Sequence, residues 1–354
     1  MKDLLESINQ KFVKKARFQK IITNDVTQCL NCERKCMIPI DGIGHCGTRI
    51  NHNGEILTLI YGCIPAISIN PIEKKPLYHF FPGSTALTIG SFGCNFDCFW
   101  CQNHNLSHPQ LPVIDKIKEQ IKYYSPEMMI NEAVMNECQG TSISFNEPSL
   151  LFEYSLEVFK LAKKEGLYNT YVSNGYMTEE VLRELVKSGL NAINIDIKGD
   201  ADMVKNYCGA DVEKVWRNAN LAKELGIHIE ITTLLIDGLN SKNEIIQELV
   251  NRIIEELGDS TPFHISRFYP QYKSNEHGIF KPTSLRLLYN AFEIARNSGL
   301  KFVYIGNISN KKYSHTTCPN CSKIVIERST FSVENLYVDK KGDCNYCGYH
   351  ICEM

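Results

Sequence analysis

The chain has 354 residues, with 38 Lys and Arg against 40 Asp and Glu for a formal charge of −2. That length suits one large domain with small appendages, at about 150 residues per domain, and the balanced charge argues against bulk attraction to nucleic acid or an anionic membrane. Neither a leader-like apolar core near Met1 nor a run of about 18 apolar residues is legible, so a soluble, cytoplasmic protein that does not enter a membrane is expected.

Fifteen cysteines in such a protein point to metal or redox chemistry rather than to a disulfide framework. Leu4, Leu5, Ile8 and Phe12 recur at helical spacing and predict a helix over residues 1 to about 20, with Lys11, Lys14, Lys15, Arg17 and Lys20 on a solvated face. Cys29, Cys32, Cys36 and Cys46 follow in a turn-rich stretch containing Gly42, Gly44 and Gly47. It has little apolar material, so a metal is expected to hold it together. Four thiolates close a tetrahedron around zinc, the preferred reading; they equally complete a second [4Fe-4S] cubane.

The apolar run Thr85–Gly90 predicts a strand, and beyond it Gly93 leads into Cys94, Cys98 and Cys101. Three thiols on one short loop bind three irons of a cubane and leave the fourth open to an outside ligand. Trp100, directly before the last thiol, is expected to be exposed and to lie against a flat heterocycle. Short apolar runs then alternate with amphipathic helices, the pattern of βα units around a parallel sheet. Strands are expected at Ala86–Gly90, Thr141–Phe145, Asn169–Ser173, Ala192–Ile197, His228–Ile236, Pro262–Phe268 and Lys301–Ile305. Helices are expected at Leu150–Glu165, Thr178–Lys187, Asp211–Leu225, Lys242–Leu257 and Thr283–Asn297. The fold class is therefore α/β, a partial (β/α)6 TIM-like barrel with a small Cys-rich N-terminal segment and a zinc-ribbon C-terminal appendage. The expected regions are residues 1–80, 81–310 and 311–354.

Reactive groups of such barrels gather at the carboxyl ends of strands. Glu147, Asn174, Asp196, Lys198, His264 and Arg267 fall there. Asn and Gly also punctuate strand-to-helix turns, but Glu147 and Asp196 are harder to explain as turn residues. The last region pairs Cys318 and Cys321 with Cys344 and Cys347 across 22 residues, the spacing of a zinc ribbon. Residues 315–354 hold four Lys or Arg against five Asp or Glu, so this ribbon lacks the basic footprint of a nucleic-acid reader. Cys63, Cys138, Cys208 and Cys352 are left as packing residues.

The three-cysteine loop with an aromatic before its last thiol resembles the radical S-adenosylmethionine (SAM) superfamily. Within it the chain is similar to the activating enzymes of glycyl radical proteins, related to those of pyruvate formate-lyase, and more narrowly to the AmmeMemoRadiSam group. That narrower likeness rests on residues 41–49, 71–80, 82–84, 93–96 and 101–103, and on Asn146 to Pro148, Ser173 to Gly175, Asp196 to Lys198, His264 to Phe268 and Gly306 to Asn307. The resemblance implies a [4Fe-4S] cluster on Cys94, Cys98 and Cys101 whose open iron chelates SAM. An electron then splits the sulfonium to give a 5′-deoxyadenosyl radical. It also implies that Glu147 receives the SAM ammonium, although Phe145 and Asn146 stand where the family has paired glycines. Trp100, Asn174, Asp196 and Lys198 become cofactor-side candidates, and His264 and Arg267 substrate-side candidates.

Implied partners are a reducing donor such as flavodoxin or ferredoxin, a protein substrate carrying a glycine, and Memo-like and AMMECR-like proteins. The reading is thus a radical SAM oxidoreductase. A multi-centre iron–sulfur electron carrier or scaffold is the alternative, which the strand-end carboxylates disfavour, since a carrier has no use for a small-molecule pocket.

Overall fold

The computed structural model describes residues 9–118 and 121–354. They form two compact units: the described residues up to Ile69 with Ala86–Asn191, and Asn70–Thr85 with Ala192–Met354. Eight strands carry the α/β fold. In the first unit, apart from Asn70, Pro71 and Thr85, these are β1 (Ala66–Pro71), β2 (Thr85–Gly90), β3 (Gly140–Ile143) and β4 (Tyr168–Ser173); in the second, β5 (Ala192–Asp196), β6 (His228–Leu235), β7 (Phe263–Arg267) and β8 (Val303–Gly306). Neighbours within each unit follow chain order.

β2, β3 and β4 pair in parallel, with Gly140 opposite both Ala86 and Tyr168. β5 to β8 do the same, with Thr232 opposite Asp196 and His264, and His264 opposite Tyr304. Strands covered on both faces read as continuous apolar runs, and Ile143, Ile193, Ile195 and Ile231 are wholly buried. The seven expected strands are all present. The eighth, β1, is not anticipated from sequence because its Ile67 and Ile69 are 42% and 44% exposed, so its alternation does not mark a buried face.

Helices connect the strands where the periodicity places them: Phe152–Lys164, Glu179–Ser188, Val212–Glu224, Asn243–Arg252 and Leu285–Asn297. Asp211 and Ser284 cap two of them by accepting hydrogen bonds from Glu213 N and Leu287 N, satisfying first-turn donors. The helix expected over Lys242–Leu257 stays α-helical to Arg252 and finishes in a π turn, Ile253–Leu257. No helix among the described residues is long and apolar enough to cross a membrane.

Two expectations for the N-terminal region are corrected. Residues 1–8 of the expected helix lie outside the described residues, and the rest is not helical. Gln10–Phe12 makes a single 3₁₀ turn, Lys14–Lys15 pairs with Leu57 and Thr58, and Gln19–Ile21 pairs with Thr27 to Cys29. Strand pairing and burial of Phe12 against Tyr123, with ring centroids 5.8 Å apart, override the helical spacing. The four-cysteine stretch is likewise not held by a metal alone. Val26–Cys29 pairs antiparallel with Met37–Pro39, Arg49–His52 pairs with Glu55–Thr58, and Ala16, Cys29, Ile38 and Ile56 form a small buried cluster.

In the second unit, the C-terminal hairpin Ile324–Ser329 with Ser332–Leu336 packs its Val325 and Ile326 into a core with Tyr78, Phe302, Tyr304, Ile351 and Cys352. Buried ions and hydrogen bonds orient that core. Arg328, wholly buried, donates to the carbonyls of Tyr78 and Ser314 and to Thr316 Oγ1, and lies 3.5 Å from Glu73 Oε1. The His79 tautomer follows from its partners, because a carbonyl only accepts. Nδ1–H donates to Ile351 O, so Nε2 accepts from the Tyr304 hydroxyl, which in turn accepts from Thr316.

Gly342 closes the unit at φ +80°, where an added Cβ would fall 1.6 Å from Cys352 O. Gly342→Ala is expected to displace the last residues and lower stability by about 1–2 kcal/mol through strain at a chain end. Chemical denaturation checks the loss, together with the metal content of the C-terminal site.

Candidate functional site: a three-cysteine loop at the strand ends

β2 runs into Ser91, Phe92 and Gly93, and the loop Cys94–Cys101 leaves from there. Asn146, just past the end of β3, holds this turn: its Oδ1 accepts from Ser91 N at 3.0 Å, and its Nδ2 donates to the carbonyls of Phe92 and Gly93. Phe145, standing where the superfamily has glycine, adopts φ +73°. A non-glycine residue there stores strain of order 1–3 kcal/mol. Its carbonyl accepts from Asn103 Nδ2, so this strained peptide is tied to the segment that follows Cys101.

Glu147 is buried, and its carboxylate joins two strand ends. It accepts from Ser149 N at 3.0 Å, from Ser173 Oγ at 2.9 and 3.1 Å, and from Asn174 N at 3.0 Å. Burial pushes its carboxyl up and these hydrogen bonds oppose the rise. The charge lies close enough to Cys94 to raise that thiol, after burial itself. Asn174 completes the arrangement: Nδ2 donates to Asn95 Oδ1 at 2.7 Å, and Oδ1 accepts from Tyr176 N. Glu147, Asn174 and Cys94 are thereby brought together in the first unit.

The thiols themselves suit a cluster. Cys94 Sγ accepts from Phe96 N at 3.4 Å and Cys101 Sγ lies 3.0 Å from Ser107 Oγ. Among the described residues only Cys318, Cys321, Cys344 and Cys347 gather as a set within 4.8 Å, so the loop thiols do not converge on a single point. Separate irons for separate thiolates are what a cubane requires. Trp100 corrects an expectation: it is 3% exposed and packs edge-on against Phe99, at 4.7 Å and 88°, so its indole turns into the protein.

Adjoining this loop is the four-cysteine segment. Arg34 Nε donates to Asn95 O at 2.8 Å, while Arg34 Nη2 and His45 Nε2 each lie 2.9 Å from Asp97. Arg49, 1% exposed, grips Glu153 at 2.8 and 3.0 Å and donates to Asn31 Oδ1. Sequence reasoning passes over Arg34 and Asp97, and it assigns no role in the site to Arg49, Asn95 or Asn146, which enter it only through the family resemblance. The Asp97 carboxylate inside the cysteine loop is the one available signal, since it faces Arg34 and His45, which lie more than fifty residues earlier.

In the second unit, Asp196 at the end of β5 pairs with Lys198 at 2.5 Å, and its Oδ1 is buried without a partner. His264 is buried. Its Nε2 donates to Glu230 Oε2 at 2.6 Å, and its ring meets Tyr78 edge-on and stacks on Tyr304. Arg267 is half-buried, donates to Thr283 O and the Tyr269 hydroxyl, and lies over the Tyr269 ring at 5.1 Å. The C-terminal thiols form a metal-binding cluster, with Cys318 and Cys347 at 3.5 Å and Cys321 and Cys344 at 3.8 Å. Cys63, Cys138, Cys208 and Cys352 are buried in packing positions.

An α/β sheet with a three-cysteine loop at a strand end, backed by a buried carboxylate, defines a class of iron–sulfur, SAM-binding proteins. Residues 88–253 match the family model described as the Radical SAM superfamily, and the chain belongs to that superfamily. It is 36% identical over 343 residues to the uncharacterized protein MJ0808 of Methanocaldococcus jannaschii, covering 96% of this chain and 99% of that one. A putative glycyl-radical enzyme activating enzyme of the same organism, MJ1632, is 27% identical over 231 residues, covering 64% of this chain and 80% of its own length. Among solved structures, a radical SAM methyltransferase from Sphaerobacter thermophilus shares the fold at a TM-score of 0.50 and 13% identity, over 87% of this chain and 81% of that one.

Proposed function

We propose that the protein is a radical SAM enzyme that reductively cleaves SAM at a [4Fe-4S] cluster held by Cys94, Cys98 and Cys101 and uses the product radical to abstract hydrogen. The observation that carries this reading is the three-thiol loop whose Cys94 lies beside the buried Glu147. Bound there, the cluster supplies the electron that divides SAM into methionine and a 5′-deoxyadenosyl radical. The chain's own residues bind, orient and shield. Glu147 sets a negative charge beside Cys94, the sign that an α-ammonium group requires. Asn146 holds the backbone of the loop, and Asn174 ties Asn95 to the end of β4. In the second unit, Asp196 keeps one oxygen unpartnered beside Lys198.

The relative described as a putative glycyl-radical enzyme activating enzyme supports a glycine in another polypeptide as the substrate. A flavodoxin or ferredoxin as donor and Memo-like or AMMECR-like proteins as partners rest on the family resemblance alone. We read the C-terminal ion as zinc, held for folding. Anaerobic reconstitution followed by dithionite and SAM is expected to release 5′-deoxyadenosine. An intact cluster that yields none would favour the electron-carrier reading.

Glu147→Gln is expected to weaken SAM binding by about tenfold, the loss of one charge-assisted contact. Equilibrium dialysis with the reconstituted protein measures it, and unchanged affinity would remove Glu147 from the SAM site.

A further inference from the structure

We propose that Cys29, Cys32, Cys36 and Cys46 hold a second [4Fe-4S] cluster, ligated entirely by protein, rather than the zinc that their spacing first suggests. A single zinc with bonds of about 2.3 Å draws four sulfurs to about 3.8 Å from one another. The C-terminal thiols are already arranged in that way, all within 4.8 Å, with pairs at 3.5 and 3.8 Å. No other group among the described residues is so gathered, and therefore no three of Cys29, Cys32, Cys36 and Cys46 close on a point.

Those four thiols instead line a pocket, shared with Arg34, His45, Arg49 and Asn95. In a cubane each thiolate takes a separate iron, so the donors stand apart around a larger body. Cys94, Cys98 and Cys101, the loop that suits a cubane by its sequence, show the same lack of convergence. One chain thus contains both spacings, and the first cysteine group sides with the cluster loop.

The surroundings suit a large anionic centre. Arg34 and Arg49 line the pocket, the first paired with Asp97 and the second with Glu153, and their guanidinium groups temper the negative charge that four thiolates leave on the cluster. Cys29 and Cys32 are buried, while Cys36 and Cys46 are only partly covered. The pocket also reaches the first cluster's loop, because Asn95 lines it and Cys94 is the preceding residue. An added Cβ on Gly93 would stand 2.5 Å from Cys46 O, so the two cysteine segments touch through their backbones.

Iron, sulfide and zinc analysis of the full chain tests the assignment. The reconstituted wild type is expected to hold about eight irons and eight sulfides, and the C94A/C98A/C101A variant about four of each as a [4Fe-4S] centre. The reduced residual cluster should give an electron paramagnetic resonance signal that added SAM leaves unchanged. C32A/C46A is expected to keep about four irons whose signal does respond to SAM.

A triple variant with no iron and a second equivalent of zinc would overturn the proposal. Should the triple variant fail to fold, the wild type alone decides: SAM must shift the signal of half the iron, and a shift of all of it overturns the assignment. Failure to make 5′-deoxyadenosine would sink the proposed activity without touching these metal counts, so the two readings fail separately.

Discussion

Replacing Glu230 by glutamine is expected to destabilise the second unit by about 3–5 kcal/mol, the range for breaking a buried charge network by removing one partner. Glu230 is wholly buried on β6. Its Oε1 accepts from His79 N at 2.7 Å and from His228 Nε2 at 2.9 Å, and its Oε2 accepts from His264 at 2.6 Å. A glutamine amide would turn a donor toward donors. Burial alone would raise this carboxyl, but hydrogen bonds from His228 and His264 hold it well below the usual carboxylate range.

The sign of the pH dependence follows. A depressed carboxyl contributes its stability above the unfolded value of about 4.3 and loses it as pH falls toward the folded one. His79 adds an earlier limb. Burial lowers it to about 3, so the unfolded chain takes up a proton between there and about 6.5 and stability declines across that interval. Urea unfolding of wild type and E230Q at several pH values should therefore show the shared decline below about pH 6.5. The gap between the two proteins should narrow below about pH 4. A constant gap down to the acid limit would sink this account.

Gly93→Ala should cost the first unit about 3 kcal/mol and most of its iron. Gly93 sits at φ +85°, a strained region for any side chain. The new Cβ would lie 2.5 Å from both Cys46 O and Thr48 Cγ2, and a backbone oxygen cannot swing aside as a side chain can. The displaced groups belong to both cysteine segments, so both centres should load poorly. Iron per chain after reconstitution and the thermal midpoint measure the two effects, and wild-type values in both would show that the loops do not meet as described.

Local chemistry is legible in the order of residues. The cysteine spacings, the seven strands and the strand-end Glu147, Asn174 and Asp196 can be read because each depends on neighbours a few residues away. Trp100 defeats such a reading because the direction of a side chain depends on what packs around it. The helix expected over the first twenty residues fails in its described part, from residue 9 on, for a similar reason: pairing with Leu57 and Thr58 lies far outside any local window. Lys198 is legible as a strand-end residue, but its 2.5 Å contact with Asp196 is visible only in the folded chain.

By itself, then, the amino-acid sequence determined the α/β pattern, the positions of three cysteine groups and the carboxylates at the strand ends. These are matters of hydrophobic period and ligand spacing along the chain. Tertiary structure alone decided that His79 closes on Glu230, that Arg328 reaches Glu73, and that Gly93 rests against Cys46. Such pairs are separated by as many as 255 residues, and a buried polar group takes whichever partner the packing brings to it. The distance between sulfurs, which separates one ion from a cluster, belongs to this second kind of information, because spacing along a chain does not specify separation in space.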